Sequence, residues 1–142
     1  MFRRMTCALA ALALTLPLAA ASAVADAGHG MEATTHPAGS AMNVKIAVTK
    51  DPMAGLNLQV KTRGFRWAPH HASTMHRGGE GHAHLFVDGK KVTRLYGPWY
   101  FLGTLSAGKH VVKVTLNGND HGDYVRGGKP IAATTTVTVP AA

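Results

Sequence analysis

The sequence predicts an all-β domain, an antiparallel sandwich of about seven strands. Three observations carry that prediction. Apolar and polar residues alternate over short runs, clusters of Gly, Pro, Asn and Asp break the chain about every 8–12 residues, and nothing beyond residue 25 has the periodicity of an amphipathic helix.

Taken in order, Val44, Ile46 and Val48 alternate with Lys45, Ala47 and Thr49, a first strand that stops at Asp51-Pro52. Leu56, Leu58 and Val60 alternate with Asn57, Gln59 and Lys61 as a second, and a long loop follows from Gly64 to Gly81. His82 to Val87 is the third strand and runs into Asp88-Gly89, a pair suited to a tight hairpin because both positions tolerate positive φ. Val92 to Tyr96 is its return. Gly97-Pro98 then interrupts the chain before the aromatic strand Trp99-Tyr100-Phe101. After the turn Ser106-Ala107-Gly108, His110, Val112, Val114 and Leu116 share one face of a sixth strand; Asn117 to Gly122 is a polar loop, and Ile131 to Val139 is a Thr/Val-rich last strand. This order suggests an immunoglobulin- or fibronectin-like sandwich over residues 42–142, with a small Greek-key barrel as the alternative. Trp67 and Trp99 are expected to pack in the core or under loops.

The first 25 residues read as a secretory signal peptide. Arg3 and Arg4 provide a positive start, Ala8 to Ala21 is an Ala/Leu run too short to span a bilayer, and Ala23-Val24-Ala25 suits cleavage before Asp26. Cleavage before Val24 or Gly28 also satisfies the small-residue rule. The expected location is the periplasm or the exterior, with no membrane span once the signal is removed. Residues 26–41, rich in Gly, Ala, Thr and Ser, read as a flexible leader containing His and Met.

Cys7, the single cysteine, precedes the apolar run and leaves with the signal. The mature chain of about 117 residues, enough for one domain, then has no disulfide, thiolate ligand or thiol nucleophile. Its net charge falls from +8 to about +6 without the two signal arginines, and the basic residues are scattered, as on a solvated surface. Nucleic acid is not an expected partner.

Nine histidines, all downstream of the signal, are the main chemical feature. Imidazole is the commonest protein ligand for zinc and copper. In His82-Ala83-His84 the two rings leave one face of a strand, with Cα atoms roughly 6–7 Å apart, close enough to share an ion. If this strand pairs antiparallel with His110–Leu116, the loop holding Asp120 and His121 falls beside it. The candidate ligands are therefore His82, His84 and His121, with Met75 or His76 as a fourth and Asp120 positioned to orient an imidazole. His110, at the other end of its strand, is expected to be structural. His29, Met31, His36 and Met42, continued by Met53, mix imidazole with thioether, which favours copper first and zinc second.

Gly81-His82-Ala83-His84-Leu85-Phe86-Val87-Asp88-Gly89, then Ala107-Gly108-Lys109-His110 and Asn119-Asp120-His121, resemble a group of small bacterial periplasmic proteins of unknown function. Members share a G-H-x-H-L-x-V-D-G hairpin, a P/A-G-x-H strand entry and a D-x-x-H or N-D-H loop. The resemblance covers Gly81 to Val139 and implies an exported immunoglobulin-like domain.

Two functions are expected from different classes. One is metal binding, buffering or delivery in the cell envelope. The other is a metal-free interaction module that docks another envelope protein through Tyr96, Trp99 and Tyr100. Catalysis is not expected: no nucleophile motif is present, and a histidine brace would need cleavage at a poor site before His29.

Overall fold

The computed structural model describes residues 34–141. The expected signal peptide at 1–25, its expected cleavage site and the expected leader up to residue 33 lie outside them. The strands are β1 (Thr35–Pro37), β2 (Asn43–Lys50), β3 (Leu56–Arg63), β4 (Arg66–Trp67), β5 (Glu80–Val87), β6 (Lys90–Leu95), β7 (Trp99–Gly103), β8 (Gly108–Asn117), β9 (Asp123–Arg126), β10 (Lys129–Pro130) and β11 (Ala132–Val139), with a 3-10 turn at Pro69–His71.

Two sheets make the all-β sandwich. The smaller has the order β2-β3-β7, all antiparallel, with Ile46 opposite Val60 and Leu58 opposite Tyr100. In the larger, β5 pairs β8 along one edge; on the other lie β6 and, beside its first two residues, the short parallel β4. β8 continues outward to β11 and, at Asn117, to β9, which β1 and β10 flank.

Alternation decides which side chains enter the core. Leu56, Leu58 and Val60 of β3, Val44 of β2, Ala83 and Leu85 of β5, and Val112, Val114 and Leu116 of β8 are buried between the sheets with Met42, Leu95 and Tyr124. Each fully buried Leu or Val contributes about 1.5–3 kcal/mol, which is how the described domain is held without a cysteine. Asp88-Gly89 forms the expected hairpin turn, with φ of 51° and 78°.

Several boundaries differ from the sequence reading. The leader is not wholly unstructured: Thr35–Pro37 pairs in parallel with Asp123–Val125. The long loop is partly ordered by β4 and the 3-10 turn, and β5 begins at Glu80, two residues before His82. Strand β9 was not anticipated, because Asp123–Arg126 is too short to show a period. Trp99 is not packed; 61% of its surface is exposed, whereas Trp67 meets Phe65 edge-on.

Candidate metal centre

Ala83 and Leu85 point into the core, so His82 and His84 leave the opposite, outer face of the larger sheet. A surface face is normally wet. Here it is covered, and His82 and His84 are only 0% and 7% exposed. Among the described residues, the buried polar side chains of Glu80, Thr115, Asn117 and Asn119 belong to the same place. His82 is opposite Asn117 and His84 opposite Thr115 in the β5–β8 ladder, and Asn119 donates to Glu80 at 3.1 Å.

Two loops provide the cover. Residues 68–79 are drawn down by Glu80, whose carboxylate accepts hydrogen bonds from Arg66 and Asn119 and pairs with Nδ1 of His71 at 2.5 Å. The bond with His71 holds the Glu80 carboxyl below its ordinary pKa against the opposing effect of burial. The Ser73 amide adds a bond to the carbonyl of Asn119 at 2.7 Å. The second loop is the Asn117–Gly122 turn. It is closed by the Gly118 amide on the Gly122 carbonyl at 2.8 Å, and its His121 carbonyl accepts from the Asn117 side chain at 3.2 Å.

These loops deliver His121 to the pair expected from the sequence. Its ring centroid lies 4.8 Å from that of His82 and 5.8 Å from that of His84. The Nε2 atoms of His82 and His84 are 3.0 Å apart, and the three histidines offer ligand atoms within 4.8 Å of one another. At a metal–nitrogen distance of about 2.0 Å, two nitrogens so spaced subtend roughly 95° at a shared ion. That angle suits common coordination geometries. Nδ1 of His82 is buried without a hydrogen-bond partner.

The electrostatics keep these rings ready to ligate. Burial, reinforced by His121, Arg94 and Lys91, pushes His82 down to about 4. Burial with Lys91, His82, His121 and Arg94 pushes His84 down to about 3. His121 is lowered by burial and by the same two cations, while Asp120 opposes the shift. Near neutral pH all three are therefore unprotonated, the form a metal requires.

The remaining expected ligands fall elsewhere. Met75 is 86% exposed and lies outside the histidine group; in a loop anchored through Glu80 and Ser73 its side chain is directed to solvent. His76 is not a fourth ligand of that group but joins His36 and Asp120 in a second one. Asp120 was expected to orient an imidazole of the triad; its carboxylate instead accepts from Nε2 of His36, at 2.8 Å to Oδ1. His110 is structural as expected: Nδ1 pairs with Asp88 at 2.7 Å, Nε2 donates to the Ser106 carbonyl at 2.9 Å, and both contacts raise its pKa. Of the aromatic surface, Tyr96 and Trp99 are exposed, whereas Tyr100 turns inward against the core.

Sequence reasoning missed Ser73. Its hydroxyl is 3.1 Å from Nε2 of His121, and both residues have positive φ, 63° and 73°. Non-glycine residues in that region are uncommon and strained, and the two strained positions touch each other at the site. Arg94 was also missed, although the hairpin register that places it opposite His84 follows from Asp88-Gly89.

Comparison with protein families, with curated proteins and with solved structures finds no match to this chain. Among the described residues no helix is long and apolar enough to cross a membrane. The groups His82/His84/His121 and His36/His76/Asp120 can each hold a metal ion.

Proposed function

We propose that the protein is an exported, non-enzymatic metal binder of the cell envelope, taking copper first and zinc second at His82, His84 and His121 to bind, buffer or deliver the ion. One observation carries the reading: three imidazoles converge in a covered site, two of them with Nε2 atoms 3.0 Å apart. A purely structural histidine pair would need no third imidazole, and the buried Nδ1 of His82 would have a partner.

Charge supports copper in its monovalent state. No carboxylate belongs to this group, while Lys91 and Arg94 act on all three rings. Fixed positive charges oppose a dication about twice as strongly as a monocation, and imidazole serves Cu(I) as well as Cu(II) or zinc. The signal-like first 25 residues and the resemblance to periplasmic proteins support export. The test is titration of Cu(I), Cu(II) and Zn(II) into the cleaved protein. Binding tighter than about micromolar that is lost in the His82→Ala/His84→Ala double variant is expected; weaker binding, or binding unchanged in the variant, overturns the reading.

The exposure of Trp99 and its neighbour Phe101 on β7 supports the second reading, an interaction module. In that case Trp99→Ala abolishes capture of an envelope partner while the histidine substitutions leave it intact.

A further inference from the structure

His36, His76 and Asp120 come from three separate parts of the chain. Strand β1 sets His36 opposite Tyr124 of β9, the covering loop brings His76, and the Asn117–Gly122 turn brings Asp120. Their candidate ligand atoms lie within 4.8 Å of one another. Nε2 of His36 is 2.8 and 3.1 Å from the two oxygens of Asp120, and both imidazoles lean on the ring of Tyr124, with centroids 6.0 and 5.6 Å away.

Two details are not explained by packing alone. Nδ1 of His76 is buried and has no hydrogen-bond partner, an arrangement that ordinarily carries a desolvation cost. The backbone under the three donors is also bare. A Cβ on Gly118 would stand 2.7 Å from that Nδ1 and 3.1 Å from Oδ1 of Asp120, and one on Gly122 would stand 2.5 Å from Nε2 of His36. The turn therefore needs glycine at both positions to admit the rings.

We propose that His36, His76 and Asp120 form a second metal site, distinct from the histidine triad, that takes a divalent ion of borderline softness such as Zn2+ or Cu2+. Two imidazoles and a carboxylate are a donor set for such ions, and the carboxylate offsets part of a dication's charge, which the triad cannot do. On binding through Nε2 the proton of neutral His36 moves to Nδ1, so the ring ligates as imidazole and the Asp120 carboxylate is freed for the ion. Without metal, the His36 and His76 rings stack 3.5 Å apart and 8° from parallel. An ion lies in the plane of each imidazole that binds it, so one ring leaves the stack when the ion enters. Binding then ties β1, held by three residue pairs, to the turn that carries His121.

The site shares no ligand with the triad, so the two readings fail separately. Zinc is titrated into the full chain and counted by native mass spectrometry, with histidine side-chain NMR reporting which rings shift. Two zinc ions per chain are expected. His36→Ala, His76→Ala and Asp120→Asn should each lose one, and His82→Ala/His84→Ala should keep one, with His36 and His76 still shifting on zinc addition. Should His36→Ala fold poorly by circular dichroism, Asp120→Asn and the wild-type shifts decide. The proposal is overturned if these variants bind zinc as the wild type does, or if the wild type binds a single ion without moving the His36 and His76 resonances.

Discussion

Nε2 of His82 and Nε2 of His84 stand 3.0 Å apart on a covered sheet face, so in the metal-free protein one neutral ring donates a proton to the other. Removing either ring leaves its partner buried and unpaired, at a cost of about 1–3 kcal/mol. Removing both should cost less than the two single losses together. Denaturant unfolding of His82→Ala, His84→Ala and the double variant is expected to show this non-additivity; a strictly additive double variant contradicts the contact.

The same burial gives the apoprotein an acid-sensitive window. His82 and His84 titrate in the fold near 4 and 3, below the ordinary histidine value of 6.5. Between those limits the unfolded chain holds more protons than the fold. Stability is therefore complete above about pH 6.5 and falls as pH drops toward about 3, by on the order of a few kcal/mol in total. Lys91, Arg94 and His121 deepen the effect and Asp120 opposes it at His82. Urea unfolding at pH 7.5 and 5 should show the loss, and His82→Gln/His84→Gln should flatten it.

Gly81 is the second residue of β5 and lies against the backbone of Asn117 at the end of β8. Its φ is 156°, and an added Cβ would collide with the backbone carbonyl of Asn117, which cannot swing aside as a side chain can. Gly81→Ala should destabilise the protein by on the order of 2–4 kcal/mol and weaken metal binding as well, since His82 is the next residue. A melting temperature within a degree or two of the wild type would contradict this.

If the triad holds an ion as proposed, Arg94 tunes the preference between ions. It faces the triad from the strand beside His84, and its Nη1 lies 3.5 Å from the Ser73 hydroxyl. Arg94→Gln removes one positive charge, which helps a dication about twice as much in energy as a monocation. Zinc affinity should rise more than Cu(I) affinity in competition titrations. An equal change for both ions would remove the electrostatic argument for Cu(I).

The repeating part of the fold was legible in the sequence. Alternation at Val44–Val48, Leu56–Val60 and Val112–Leu116 identified strands that fall in the two sheets, and Asp88-Gly89 identified the hairpin that fixes β5 against β6. His121 was reachable from antiparallel pairing of β5 with β8, because Asn117 had to end opposite His82. What was not legible depends on loops with no period. Glu80 draws residues 68–79 over the outer face through Arg66, His71 and Asn119, which converts a surface H-x-H pair into a buried one. His36 was hidden for a similar reason: Thr35–Pro37 is a strand only because β9 is there to pair with it. Once that pairing exists, His76 and Asp120 join His36.

X-ray absorption of the Cu(I)-loaded protein tests the central claim most directly, because it counts the imidazoles around the ion. Three nitrogen donors with imidazole outer-shell scattering are expected, falling to two in His121→Ala. A spectrum without imidazole scattering, or one unchanged when His82, His84 and His121 are replaced, would contradict the account.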